Sequence, residues 1–393
     1  MTVESPNTAL LDAMETARRE EIEREARRRE LMATIARHRW QIARNHHRLE
    51  TGEPMDFSRY PYQPAIYQDD ALEQVVMGAV QWGKSEFLVA TAAAMAACGL
   101  RVFYVISKYD KRDKFVASRI TPAFREIPLY AAMLKAARDR SADADSQRFK
   151  HFGPGSINFV GSNSDKDFTS YSADSTIIDE HQECVLENIN RVDGRMSGSP
   201  WRYKIICGNP RLIGSEENQN LDWEYQNTDR RQWHVPCAYC GTYQVLGWWS
   251  HVIREEKNRQ GAIVSITPRD PDYQPGGVLD MRAICTNCNR PLNRLSREGQ
   301  WVAQNPGHVR HGYQLSNLYN VNVRLDRMFS MYRVALHDPS SMADFVNNWL
   351  GLAWNMEGSS ITERMLEQAS RGDVAGVDPY RFIPGSQLLW EAA

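Results

Sequence analysis

Three sets of residues in this chain of 393 have types and spacings that could do chemistry. The first is Gly78-Ala79-Val80-Gln81-Trp82-Gly83-Lys84-Ser85. It follows the pattern Gly-x-x-x-x-Gly-Lys-Ser of a phosphate-binding loop. Gly78 and Gly83 let the backbone turn tightly enough for its N–H groups to face phosphate oxygens. Lys84 would reach the β- and γ-phosphates of ATP, and the Ser85 hydroxyl would join a Mg²⁺ shell. The second set is Ser175-Thr176-Ile177-Ile178-Asp179-Glu180. A β-branched run ending in two carboxylates puts Asp179 at a strand tip, where it can hold Mg²⁺. Glu180 can then polarise a water that attacks the γ-phosphate. The third set is Cys237-x-x-Cys240 with Cys285-x-x-Cys288, each pair in a turn. Four thiolates at this spacing suit a tetrahedral structural Zn²⁺, with an iron–sulfur cluster as the alternative.

Several single residues join these sets. Asn209, in Gly208-Asn209-Pro210 at the end of the run Lys204–Cys207, could sense hydrolysis beside the γ-phosphate. Arg112 belongs to a basic run (Lys108, Lys111, Arg112, Lys114, Arg119) that could touch DNA phosphates, supply an arginine finger or form a solvated face. Arg191 and Arg195 are further finger candidates, and the Gln63 amide is a candidate reader of the adenine edge.

The elements that must position these groups alternate in type. Apolar runs at 72–77, 101–106, 156–161, 175–178 and 204–207 predict strands. The Ala-, Leu- and Met-rich stretch from Glu86 to Cys98 predicts a helix whose N-terminus faces the phosphates. Residues 125–150 read as exposed helix. The fold class that follows is α/β: a P-loop, RecA/ASCE-like ATPase with a central, mostly parallel sheet and the ATP site at the carboxyl ends of its strands.

Thr16 to Glu50 contains no Gly or Pro and interleaves Glu with Arg three and four apart, which predicts a long solvated helix. Met32, Ile35, Ala36, Trp40 and Ala43 give it an apolar stripe. It either packs on its own domain or docks another subunit or DNA through Arg37, Arg39, Arg44 and Arg48. The expected organisation is a separate charged helical region at 1–50, an ATPase core at 51–235 entered through a Pro/Tyr-rich linker at 51–70, and a cysteine-knuckle insertion at 236–295. The rest of the ATPase domain is expected at 296–370 and a linker at 371–393.

Net charge is −2, so any nucleic-acid contact must come from local patches. No apolar run reaches membrane length and no signal peptide opens the chain, which predicts an intracellular protein without membrane contact. In a reducing compartment the seven cysteines are thiols or metal ligands, with Cys98, Cys184 and Cys207 buried.

The order of these motifs resembles the large terminase subunit of tailed phages, lambda-type, from about Pro61 to Gln368. The resemblance is carried by Gln81 just before Gly83-Lys84-Ser85, by Asn163-Ser164 ahead of Asp179-Glu180, and by Trp233-His234-Val235-Pro236-Cys237-x-x-Cys240-Gly241. Asn347 to Trp354 followed by Glu357 resembles the end of that family's ATPase region. It implies an ATP-driven motor that pushes double-stranded DNA through a portal protein into a procapsid in the host cytoplasm. Gly78, Gln81, Gly83, Lys84 and Ser85 would bind ATP, Asp179 the metal, and Asn209 would couple hydrolysis to movement. A ring homo-oligomer and a small terminase subunit are the implied partners. The family continues into a nuclease domain, but no stretch after residue 330 offers a strand-borne acidic triad. The nuclease is therefore expected on a separate polypeptide, beyond a truncation, or nowhere. Asp179-Glu180-His181-Gln182 is also similar to helicase motif II, which makes a helicase-like remodelling ATPase the second reading. A non-motor ATP- and zinc-binding scaffold that recruits a nuclease is the third.

Overall fold

The computed structural model describes residues 6–139, 145–259 and 263–355. A long helix α1 (Pro6–Asn45) and a short α2 (Gln63–Tyr67) precede β1 (Glu73–Gly78), α3 (Lys84–Ala97) and β2 (Arg101–Ile106). Then come α4 (Tyr109–Phe115), α5 (Thr121–Glu126), α6 (Pro128–Arg138), β3 (Phe149–Phe152), β4 (Gly155–Gly161), β5 (Ser175–Ile178) and β6 (Tyr203–Gly208). The remaining strands are β7 (Arg231–Pro236), β8 (Tyr243–Val245), β9 (Ile253–Lys257), β10 (Ile263–Pro268), β11 (Ala283–Ile284), β12 (Pro291–Leu292), β13 (Gln300–Ala303) and β14 (His311–Leu315).

The main sheet runs β13-β7-β14-β1-β6-β5-β2-β4-β3, with β8 paired to β7. From β7 to β4 every pairing is parallel, and β3, β8 and β13 add antiparallel edges. A parallel sheet covered on both faces needs strands that are apolar on both faces. β1 and β2 meet that need: Val75, Met77, Phe103 and Val105 enter one core, while Val76, Val102, Tyr104 and Ile106 enter the other. The expected strands are thus β1, β2, β4, β5 and β6, and β6 lies between the strands that carry the phosphate loop and the acidic pair. Among the described residues no helix is long and apolar enough to cross a membrane.

Three regions differ from expectation. The stretch 125–150 is not uniformly helical: α6 ends at Arg138 and β3 follows as a four-residue edge strand. That strand is too short, and too rich in Lys and His, to stand out as an apolar run. The linker expected at 51–70 instead contains α2, with Tyr62, Ile66 and Tyr67 buried. The helix expected as a separate piece is split in character. Residues 13–24 of α1 are exposed, whereas Met32, Ile35, Ala36, Ile42 and Ala43 are buried, and this half of α1 packs on α3. The linker expected at 371–393 and Glu357 lie outside the described residues.

Arg39 explains why α1 holds so firmly. It is fully buried, with its donors spent on protein acceptors. Nε donates to Tyr67 O (2.6 Å), and the terminal nitrogens donate to Ile66 O (3.1 Å), Asp69 O (2.5 Å), Gln74 Oε1 (3.3 Å) and the Tyr203 hydroxyl (3.0 Å). Its guanidinium carbon also lies 5.3 Å from the Phe87 ring centre. Arg39 is therefore not available to DNA or to another subunit, because a guanidinium with all five N–H groups engaged has nothing left to offer. Arg39→Leu should take away the donor to the Tyr67 and Ile66 carbonyls, while Asp69 O keeps the Gln74 amide. We expect a fall of roughly 3 kcal/mol or more in unfolding free energy, read by urea titration, with Arg39→Lys recovering only part of it.

Candidate active site

The phosphate loop leaves β1 at Gly78 and enters α3 at Lys84. Gln81 (φ 63°) and Gly83 (φ 96°) adopt left-handed backbone. That is free for glycine, and for Gln81 a local strain of the kind that accumulates at functional sites. A Cβ on Gly78 would stand 2.8 Å from Trp82 Nε1, so the first glycine is required by the loop's own indole. The loop is clamped from several distant segments. Ala79 N donates to Leu315 O (2.9 Å) and Val80 N to Asn348 O (2.9 Å). The side-chain amides of Gln63, Asn209 and Asn320 donate to Trp82 O (2.7 Å), Gly78 O (2.9 Å) and Gln81 O (3.3 Å). Gly351 passes so close that a Cβ there would meet Ala79 N at 2.5 Å and collide with Leu315 O. Gln63 is thus a buried clamp on the loop backbone and not an open reader of a base. Lys84 Nζ folds back to Ala79 O (2.6 Å). Burial lowers its pKa, against the opposing pull of Cys207, Asp179 and Glu180. The Gln81 side chain is exposed.

Asp179 follows β5 and is buried. Its backbone N–H continues the ladder to Val105 O (2.9 Å). Its carboxylate accepts from the Tyr104 hydroxyl (3.1 Å) and from Glu180 N (2.9 Å). Burial, and then the neighbouring Glu180 charge, push its pKa up to about 6. Glu180 sits in left-handed backbone (φ 50°) with its side chain half exposed, 3.4 Å from Lys111 Nζ. At the tip of β6, Asn209 N donates to Gln182 Oε1 (3.0 Å) while its amide holds Gly78 O. Asn209 therefore joins the phosphate loop to the turn after Glu180. A Cβ on Gly208 would collide with Gln182 Oε1. Beneath the tip, Cys207 is buried and its thiol pKa is pushed up by that burial. His181 is buried too, and burial lowers its pKa to about 4.

The arginine candidates separate. Arg112 is 1% exposed and its guanidinium is gripped by Asp113 (2.7 Å), so it is a buried structural cation and not a finger. Arg195 donates to Thr169 O (2.8 Å), with its Nε buried. Arg191 is exposed and paired with Glu187 (2.6 Å). Asn320 has no signal in the sequence, and Gln182 and Asn348 stand there only as parts of longer motifs, without these contacts. For the contacts, only the place of Gln182, two residues past Glu180, offered a signal.

The four cysteines meet where the chain leaves β7 and β11. Their sulfurs all lie within 4.8 Å of one another. Cys237 Sγ is 3.6 Å from Cys288 Sγ, and Cys240 Sγ is 3.8 Å from Cys285 Sγ. A tetrahedron of thiolates at about 2.3 Å from a zinc has edges of about 3.8 Å. Gln244 Nε2 donates to Cys285 Sγ (2.9 Å). N–H donors of this kind stabilise a thiolate. The donor set fits a tetrahedral metal.

One consequence concerns Asp179. Because its folded pKa is raised, protonation favours the fold. That advantage is complete below the ordinary carboxylate range and is gone once the pH exceeds about 6. In metal-free buffer, Asp179→Asn should therefore be more stable than the parent by about 2–3 kcal/mol at neutral pH, with the difference vanishing below pH of about 4. Thermal melts across pH check both the sign and the window.

The family model described as phage terminase large subunit gpA, ATPase domain, matches residues 51–265. A large terminase subunit of Enterobacteria phage P21 is 24% identical over 263 residues, covering 62% of this chain and 40% of that protein. The chain thus spans well under half the length of that relative. Among solved structures, the large terminase ATPase domain of Thermus phage P74-26 is similar at 12% identity and a TM-score of 0.41. That match covers 76% of this chain and 94% of the other. The large terminase of another, thermophilic bacteriophage is similar at 15% identity and a TM-score of 0.27, covering 40% and 37%. The family match takes in more than half of the chain, including Gly78–Ser85, Asp179-Glu180, Asn209 and the first cysteine pair: the chain belongs to the phage terminase large subunit gpA ATPase family.

Proposed function

We propose that the chain is the ATP-hydrolysing motor of viral genome packaging, translocating double-stranded DNA into a procapsid. The observation that carries this reading is the single cluster at the carboxyl ends of β1, β5 and β6. There a phosphate loop, an acidic pair and a strand-tip amide are joined by Asn209. Lys84 would release Ala79 O to meet the β- and γ-phosphates, and the free N–H groups at the start of α3 would cradle them. Ser85 and Asp179 would hold Mg²⁺, which neutralises charge on the phosphates. Glu180, once released from Lys111, would take the proton of the attacking water. Asn209 would feel the change at Gly78 and pass it to Gln182. Of the finger candidates, Arg191 is the one with an exposed guanidinium. Zn²⁺ would fix the cysteine knuckles. Double-stranded DNA, a portal protein, a small terminase subunit and further copies in a ring are the partners this reading needs, in the host cytoplasm, with a separate nuclease polypeptide as one of the alternatives for DNA cutting. A helicase would need a second ATPase-like lobe. The described residues from 236 onward instead form the cysteine insertion and strands that return to the same sheet.

Purified chain should hydrolyse ATP in a Mg²⁺-dependent manner, faster with linear duplex DNA. Lys84→Ala and Glu180→Gln should each lower turnover roughly 100-fold or more. Unchanged turnover in Glu180→Gln would remove Glu180 from the water-activating role. For the metal, elemental analysis should find a single zinc per chain, lost in Cys285→Ser. A strong chelator should lower the melting temperature of the parent and leave Cys285→Ser unmoved.

A further inference from the structure

Both cysteine turns are rigid. Gly241 N bonds Cys237 O (2.8 Å), Asn289 N bonds Cys285 O (3.0 Å), and Cys285 N bonds Arg290 O (2.8 Å). The four sulfurs lie within 4.8 Å of one another, so that a metal held by them would fix one turn against the other. Tyr239 stands at the apex of the first turn, 63% exposed, and Arg290 follows the second. The Arg290 guanidinium carbon lies 5.5 Å from the Tyr239 ring centre. Among the described residues no carboxylate pairs with Arg290. The carboxylates Asp270 and Asp272 of the insertion are bound to Arg282 instead. The result is an exposed π-face and an unneutralised cation held in fixed relation. Ordering two long side chains is a large cost of most contacts, and here the knuckles have met much of it already.

We propose that the Tyr239–Arg290 pair is a contact for single-stranded nucleic acid, with an unpaired base stacking on the ring and its phosphate meeting the guanidinium. An aromatic face beside a cation is the chemistry that takes unpaired bases, and it does so without regard to sequence. Stacked duplex presents only base edges and backbone, so the ring has no partner there except at an end. The choice of DNA rests on the motor reading, but the contact itself needs no ATP turnover.

The test is fluorescence anisotropy of the zinc-loaded chain without nucleotide, using labelled oligothymidine and a duplex of equal length. The duplex is closed at both ends by a covalent link without a hairpin loop, so that no terminal base pair is open to stacking. Tyr239→Ala should weaken oligothymidine binding roughly tenfold, and Tyr239→Phe should retain it. Arg290→Gln should reduce the salt slope on oligothymidine by about 0.7. Duplex affinity should hold in all three. Tyr239→Leu is the second ring-removing variant, used if zinc analysis shows that alanine loosens the knuckle. Unchanged oligothymidine affinity without the ring, phenylalanine as weak as alanine, or equal losses on duplex would each overturn the proposal. Absent ATP turnover in the parent would count against the motor alone, because this measurement contains no nucleotide.

Discussion

A phosphate loop must be rigid without spending the N–H groups that it exists to offer. The rest of this structure is arranged around that restriction. Between β1 and α3, Ala79 and Val80 give their N–H groups to Leu315 O and Asn348 O among the described residues. The loop is otherwise held by its carbonyls: Gly78 O by Asn209, Ala79 O by Lys84, Gln81 O by Asn320 and Trp82 O by Gln63. Side-chain amides suit this task because each brings two donors on a short stem. Holding a loop by its acceptors leaves its donors pointing outward, which is the polarity an anion requires.

This division explains what was legible in the sequence and what was not. Gly83, Lys84, Asp179 and the cysteine pairs stand out in the sequence because the chemistry proposed for them fixes residue types at short spacing. The strands could be read because burial on both faces demands continuous apolar runs. The contacts that Gln63, Asn320, Asn348 and Gly351 make with the loop could not. Each is made by an ordinary residue whose role exists only once β14 and the turn after it lie beside β1. Arg39 and Arg112 misled for a related reason. Both stand in charge-rich stretches that read as solvated faces, yet the environment of a cation is set by its partners in the fold, here backbone carbonyls for one and Asp113 for the other. Composition records the charge and is silent on where its partners are.

The site also keeps energy in hand. Glu180 and Gln81 hold left-handed backbone, and Asp179 is buried beside a second carboxylate. Features that lower stability persist where the surrounding structure over-determines them. Here the surroundings are the parallel ladder from β1 through β6 and β5 to β2 and the core that α1 closes. The anchoring of α1 by Arg39 and the tension at Asp179 are therefore two sides of one arrangement, in which a well-packed frame supports an uncomfortable centre.

The helical turn Phe345–Leu350 and the residues after it reach both halves of that centre. Asn348 O and Gly351 press on the phosphate loop. Asn347 and Trp354 bond Arg211 O, two residues beyond Asn209 (2.9 Å each). Such a segment acts as a crossbar between two rails. There is no room for a Cβ at Gly351, which would meet Ala79 N at 2.5 Å, so the segment lies directly against the loop at one end and against Arg211 O at the other. A segment that carries none of the proposed catalytic groups thus spans from the phosphate loop to the chain just beyond Asn209, so a substitution in it can disturb both without touching either.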